Sequence, residues 1–287
     1  MFDILDYYEA KDLKDAFSYL QKNENTKIIA GGTDVLIRAR ERSSDYININ
    51  LLGVTRIPEL KEIRETDTAI FIGASATFTE IENSDVVKNN ISIVATAVGQ
   101  VGGPQVRNAG TIGGNICNGA TSADSATSLF VLDAMLVIEN ENGRREESIH
   151  DFYEGPGRVK LGKTDIVVGF KINKENFNGY KGHYIKFAQR NAMDIATLGC
   201  SVLLKENNNK IEDIRIAFGV AGPTPLRATS AEEMAKGLEL TKENIEKIAN
   251  KTLESTKARD SWRGSKAYRE NLAVELTKRA IETCKGE

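Results

Sequence analysis

The chain has 287 residues, long for one core and better suited to two or three modules. Its 38 basic and 41 acidic side chains give a net charge of −3, scattered without a long single-sign block, so nothing electrostatic points to nucleic acid or an anionic membrane. Three distant cysteines (Cys117, Cys200, Cys284) argue against a disulfide framework, suit a reducing cytoplasm and are too few for an iron–sulfur cluster held by this chain alone; two histidines exclude a three-histidine metal site.

Met1 to Asp6 has neither the basic nor the apolar region of a secretory signal, and no run approaches the ~18 apolar residues of a membrane span. Leu13, Ala16, Phe17 and Leu20 share one helical face. A short strand, Lys27 to Ala30, runs into Gly31-Gly32-Thr33, and Asp34 to Ile37 can open a helix. Strands are predicted at Tyr46 to Asn50 and Ala69 to Gly73. Ser84 suits the N-cap of one helix through Val86, Val87, Ile91, Val94 and Val98.

The composition then changes. Seven of the chain's 24 glycines fall within residues 99–119, which marks a specialised loop. Asp124 to Asp133 reads as a helix, and Asn142-Gly143 joins Met135–Glu139 to Arg144–Ile149 as a hairpin. Asp165 to Ile172 is a β-branched strand. Three more strands follow, Tyr180–Gln189, Ala196–Lys205 and Ile211–Val220, the last two joined by a turn at Asn207-Asn208-Asn209. Helices at Ala231–Leu238, Lys242–Ser255 and Lys266–Cys284 close the chain, and strands followed by helices imply a separate α+β module.

Two glycine loops carry the chemistry: Ala30-Gly31-Gly32-Thr33-Asp34 and Gly110-Thr111-Ile112-Gly113-Gly114-Asn115-Ile116. A diphosphate needs several backbone N–H donors converging on it, and glycine removes the side chains that would obstruct them. Thr33, Thr111 and Asn115 can add directed hydrogen bonds. Either loop alone is more often an ordinary turn than a ligand site. No Gly-x-Gly-x-x-Gly fingerprint of a Rossmann fold occurs. Gly157 to Thr164 satisfies Gly-x4-Gly-Lys-Thr, but Pro156 precedes it closely and a strand follows where a P-loop needs a helix, so it reads as a coincidental loop.

The first loop resembles the first FAD motif of the molybdenum hydroxylase flavoproteins, the FAD-binding medium subunits of the xanthine dehydrogenase type. Gly102-Gly103-Pro104-Gln105-Val106-Arg107-Asn108, continuing through Thr111 to Ile116 and on to Asp124, is similar to their second. Asp165-Ile166-Val167 and the Lys186, Arg190, Asp194-Ile195-Ala196 segment resemble two later family segments, so the match runs in order along nearly the whole chain. It departs at Ala120-Thr121, where the family often has Ser-Pro, and it lacks the cysteine-bearing insertion of the benzoyl-CoA-reducing branch.

The resemblance implies an α+β chain: a two-part FAD-binding domain of the vanillyl-alcohol oxidase (PCMH) type over 1–176, with subdomains about 1–55 and 56–176, then a domain over 177–287 like the CO dehydrogenase flavoprotein C-terminal domain. It implies cofactor-binding roles for Ile28, Ile29, Ala30, Gly31, Gly32, Thr33, Asp34 and Val35 at the diphosphate and one side of the flavin. Val101, Gly102, Gly110, Thr111, Gly113, Gly114, Asn115, Cys117 and Asn118 would form a second clamp. Asp124 would accept from the ribose or adenine end, Val167 would pack near the flavin ring and Lys186 would lie beside it. Each has a plainer reading: Lys186 as a solvated strand lysine, Asp124 as a helix N-cap, Cys117 as a small buried side chain, and Arg107 as a brace for the loop.

The implied role is electron transfer. FAD on this chain would collect electrons that 2Fe-2S clusters relay from a molybdopterin centre on partner subunits, and pass them to NAD or another acceptor such as ferredoxin. No acid or base in this chain is implied, and the substrate ring, whether xanthine, hypoxanthine, nicotinate or another, would sit on the molybdenum-binding subunit. Two other functions fit the loops: a related FAD-dependent reductase of an enolpyruvyl sugar nucleotide, and a nucleotide-binding assembly subunit without redox turnover.

Overall fold

A computed structural model describes residues 3–286; Met1 and Phe2 of the N-terminal reading lie outside the described residues. The chain opens with β1 (Ile4–Glu9), α1 (Leu13–Lys22), β2 (Thr26–Ile29), α2 (Val35–Arg40) and β3 (Ile49–Gly53). The three strands form a parallel sheet ordered β1-β3-β2. Asp12 caps α1 through the Asp15 N–H, and Leu13, Ala16, Phe17 and Leu20 are its buried face, as their spacing dictates.

β4 (Ile63–Glu65) and β5 (Ala69–Gly73) begin the second layer. A run of short helices follows: α3 (Phe78–Asn83), α4 (Asp85–Asn90), α5 (Ser92–Gly99), α6 (Pro104–Ala109), α7 (Ile112–Cys117) and α8 (Asp124–Val131). Then come β6 (Met135–Asn140), β7 (Gly143–Ser148), α9 (Ile149–Phe152), β8 (Tyr153–Gly155), β9 (Arg158–Val159) and β10 (Ile166–Asn173). An antiparallel sheet of order β4-β5-β10-β6-β7 places β10 at its centre. The last unit is an antiparallel sheet, β11 (Lys181–Phe187), β12 (Leu198–Asn207), β13 (Lys210–Gly219) and β14 (Leu226–Arg227), with α10 (Thr229–Ala235), α11 (Lys242–Lys251) and α12 (Lys266–Gly286).

The cores show how the layers stack. Phe17, Leu20, Leu52 and Ile57 pack with Phe71, Val137 and Val168, which joins the parallel sheet to one face of the five-stranded sheet. The opposite face, with Ile70, Ile72, Phe170 and Ile172, packs on α3 to α8. Every residue of α8 is buried, because the C-terminal sheet covers its other side: Leu203 and Ala217 share a cluster with Leu129 and Phe130, and Ser201 Oγ donates to Thr127 Oγ1 at 2.8 Å. Its small Ser125, Ala126, Thr127 and Ser128 let two sheets approach one helix. Leu198, Cys200, Ile214 and Phe218 face α10 to α12 across the remaining core.

Several expected elements shift. The strand expected at Tyr46–Asn50 is Ile49–Gly53, since Ser44–Tyr46 forms a 3-10 turn and Asn48 has φ +52°. The single helix expected through Val98 breaks at Ile91 (φ −136°, ψ 51°), which lets α5 turn five apolar residues into the core. The glycine-rich stretch holds two short helices, α6 and α7, instead of one loop. β1 was not foreseen.

At the centre of these layers Phe170 has 0% exposure. Phe170→Ala is expected to lower unfolding free energy by about 3–5 kcal/mol, measured in denaturant; a loss below about 1 kcal/mol would show that this sheet is not the core that holds the layers.

Candidate functional site

β2 delivers its chain end into Ala30–Asp34, and α6 delivers Ala109 into Gly110–Gly114; the two bends meet. A Cβ on Gly31 would overlap the Ala109 carbonyl oxygen, so the approach requires glycine there. Arg38 on α2 ties the halves together, pairing with Asp34 at 2.6 Å and donating to Asn118 Oδ1 at 2.7 Å. Gly113 is packed against Ala74, whose carbonyl accepts its N–H at 2.8 Å. Gly114 differs: a Cβ there would meet only Thr111 Oγ1, at 3.0 Å. Its missing side chain keeps space open.

That space is a cleft of about 480 Å³, well within the range of small-molecule sites. Sixteen of the twenty residues expected at a cofactor line it: Ile28, Ala30, Gly31, Gly32, Thr33, Asp34, Val35, Val101, Gly110, Thr111, Gly113, Gly114, Asn115, Cys117, Asn118 and Val167. Apolar Val54, Leu60, Phe78 and Ile166 complete one part of the wall, and Lys27 and Lys163 bring positive charge. Among the described residues, no group accepts from the backbone N–H of Gly31, Gly32, Thr33 or Asp34. Four consecutive amides without partners beside a cleft suit an anion with several oxygens. The residues present therefore fit a dinucleotide with a diphosphate between two ring systems.

Other polar groups here are partly engaged. Thr111 Oγ1 accepts the Gly114 N–H at 3.2 Å as the cap of α7, and Asn115 Oδ1 accepts from Ser125 Oγ at 2.7 Å, leaving the hydroxyl proton and the amide NH2 for a ligand. Burial pushes the Cys117 thiol up to about 12, so it lines the cleft as a neutral apolar group. Arg107 braces the second bend, donating to the Val101 carbonyl at 3.3 Å and pairing with Glu82 at 3.5 Å.

Four expected residues stand outside this cleft. Ile29 is buried with Ile49 and Leu51. Gly102 sits at φ +50°, and its role is to make a turn against Val106. Asp124 is in the first turn of α8 but is not its N-cap, which is Ala123. Both carboxylate oxygens are engaged: Tyr184 Oη donates at 2.6 Å and Lys186 Nζ at 2.9 Å. Lys186 also donates to the Gln100 carbonyl at 2.9 Å and is only 8% exposed, so it is no solvated strand lysine. Burial pushes the Asp124 carboxyl up, while the Lys186 ammonium and Tyr184 hydroxyl pull it back. Lys186 borders a second cavity of about 370 Å³ with Gln100, Phe187, Arg190 and Asp194, next along the chain from Val101.

Sequence reasoning missed one wall. Leu161, Gly162 and Lys163, inside the discarded Gly-x4-Gly-Lys-Thr match, line the cleft although no helix follows them. Asp165 anchors that wall. Its carboxylate accepts from Arg145 at 2.6 and 2.9 Å, from Asn140 at 2.8 Å and from the Gly162 N–H at 2.7 Å. The Arg145 guanidinium beside it, then the Gly162 and Asn140 hydrogen bonds, hold its carboxyl down at about 2 against the cost of burial. Among the described residues no His, Cys, Asp and Glu group could hold a metal ion, and no helix is long and apolar enough to cross a membrane.

Residues 2–175 match the family model of the FAD binding domain in molybdopterin dehydrogenase, and residues 183–284 that of the CO dehydrogenase flavoprotein C-terminal domain. The chain is 38% identical over 282 residues to the xanthine dehydrogenase FAD-binding subunit of Escherichia coli O157:H7, covering 98% of this chain and 96% of that one. It is 31% identical over 249 residues to the nicotinate dehydrogenase FAD-subunit of Eubacterium barkeri, covering 84% and 82%. A solved carbon monoxide dehydrogenase from Hydrogenophaga pseudoflava superposes with TM-score 0.94 at 28% identity, covering 100% of this chain and 99% of that one.

Gly114→Val fills the open side of the cleft and should lower FAD occupancy of purified protein about tenfold or more, with secondary structure retained; full occupancy in a folded variant would misplace the ligand. Asp165→Asn should cost about 1–2 kcal/mol at neutral pH, discounted from a fully buried pair because Arg145 is 41% exposed. The Asp165 carboxyl is depressed on folding, so its stabilisation is complete above the ordinary carboxylate range and fades as pH falls toward about 2. The wild-type and variant stabilities should converge there; a gap constant from pH 7 to 2 would contradict the pairing.

Proposed function

The chain belongs to the FAD-binding medium subunits of the xanthine dehydrogenase and CO dehydrogenase family, and from that premise we propose that it holds FAD in the cleft between its glycine bends and serves as the electron outlet of a molybdenum hydroxylase complex. The observation that carries this reading is the run of unpartnered amides from Gly31 to Asp34, on residues that line the same cleft as the open Gly114.

FAD held there would supply two-electron redox chemistry, linking electrons relayed from molybdopterin through 2Fe-2S clusters on partner subunits to NAD or a different acceptor. The chain's own residues bind and orient. The Gly31–Asp34 amides and the Thr111 hydroxyl take the diphosphate, with Asn115 and Asn118 alongside. Val167, Ile166 and Phe78 exclude water from the apolar part of the cleft. Lys186, fixed by Asp124 and the Gln100 carbonyl, holds an ammonium next to Val101, from where it would favour negative charge on a ring bound in the cleft. Ile29, Gly102 and Asp124 act behind the wall, by packing, turning and fixing Lys186. The division at residue 176 then separates the FAD-binding part from the unit carrying Lys186. The substrate ring is chosen on the molybdenum subunit, and sparse cysteines suit a cytoplasmic complex.

The purified chain should carry the visible absorption of oxidised flavin in about equimolar amount. NADH should remove that absorption if NAD is the acceptor, whereas a reduced ferredoxin but not NADH would do so if the outlet is a one-electron protein. A folded preparation that stays colourless after incubation with excess FAD contradicts the reading.

A further inference from the structure

The loop after α11 carries the chain's single tryptophan, Trp262, with 75% of its surface exposed. An exposed indole is ordinary on a mobile loop; this loop is clamped. Arg269, on α12 and only 2% exposed, donates to the Thr197 carbonyl at 3.1 Å, the Gly264 carbonyl at 2.8 Å, Ser261 Oγ at 2.7 Å and, closer still, the Arg259 carbonyl. No carboxylate joins this set. A buried guanidinium thus uses all three of its nitrogens to fix the chain around one solvent-facing side chain.

The charges around the indole are as unusual. The Arg263 guanidinium stacks on the Trp262 ring, 4.1 Å from its centroid, and its Nε is buried without a hydrogen-bond partner. Lys257, Arg259 and Arg263 make no ion pair among the described residues, and Asp260 is the lone acid between Lys257 and Lys266. Positive charge is thus concentrated here on a chain whose net charge is −3. The Arg259 and Arg263 charges, after burial, hold Arg269 below the usual arginine range, a further mark of their crowding. The loop reaches the cavity bordered by Lys186 through the first turn of α12: a Cβ at Gly264 would lie 3.2 Å from Tyr268, Tyr268 packs edge-on against Phe187 at 6.1 Å, and Phe187 lines that cavity.

A rigid indole and a stacked arginine, with the unpaired Lys257 and Arg259 a few residues before them in the chain, are the makings of an interface hot spot whose ordering cost is already met. We propose that the Trp262 loop docks an acidic protein face carrying a pocket for the indole, and that this face belongs to the electron-delivering iron–sulfur subunit. The proposal rests on the electron-outlet reading above. It follows from position and charge: the partner that delivers electrons must come close to the flavin site, and the cations here lack acids of their own.

The test uses the co-expressed complex. Trp262→Ala, and separately the Arg259→Glu/Arg263→Glu pair, should each weaken binding of the iron–sulfur subunit about 30-fold or more, while FAD content stays at the wild-type level. Binding by the wild-type chain should weaken steeply with salt, and Trp262 emission should shift to the blue when the iron–sulfur subunit is added. An intact complex in both variants overturns the proposal. So does a blue shift with phosphatidylserine vesicles and none with the subunit, which would make the loop a membrane contact. Loss of FAD from the wild-type chain would instead sink the electron-outlet reading, so the two failures are separable.

Discussion

The close approach of two backbones at Gly31 and Ala109 is the constraint on which the site depends. A side chain at position 31 would collide with the Ala109 carbonyl, so the two bends can share one cleft only through glycine. The parallel sheet supplies one bend and the helical layer the other, and Arg38 spans them through Asp34 and Asn118. With that contact made, the residues from Gly31 to Asp34 line the cleft, and their amides have no partner among the described residues. Gly31, Gly32 and Asp34 are half-buried and Thr33 is exposed, so these donors can stay hydrated in the empty cleft and be taken over by an anionic ligand.

A second constraint sets the C-terminal unit against this site. Asp124 sits at the positive end of α8, and Lys186 and Tyr184 reach it from β11. Removing an ammonium and a carboxylate from water is expensive, and the pair holds only because further hydrogen bonds, from Tyr184 and to Gln100, use the remaining valences. The benefit is placement. The same contact that docks β11 on α8 fixes one lysine next to the wall of the cleft. Just past the other end of α8, Asp133 joins the layers again, accepting from Arg215 at 2.9 Å, Arg227 at 2.7 Å and His150 at 2.7 Å.

Much of this was legible in the sequence because it is local. The α1 stripe, the Asn142-Gly143 hairpin, β5 and the three strands after residue 180 follow from period and turn chemistry. The glycine bends were visible as chemistry, but the meeting of Gly31 with Ala109 depends on tertiary approach, which no spacing encodes. The resemblance grouped Asp124 and Lys186 with the cleft residues; their pairing with each other is a contact between residues 62 apart in the chain. Leu161 to Lys163 were hidden for another reason. Their role comes from the Asp165 carboxylate pulling Gly162 inward, and the motif they imitate pointed elsewhere. The break at Ile91 was lost because the apolar pattern runs through it on both sides.

Amide hydrogen exchange of the isolated chain, with and without FAD, tests the two-bend grip most directly. The amides of Gly31, Gly32, Thr33 and Asp34 should exchange quickly in the apoprotein and slow sharply when FAD binds, with the turn around Gly114 slowing in parallel. Binding that protects other segments and leaves Gly31 to Asp34 exchanging as before would show that the ligand is held somewhere else.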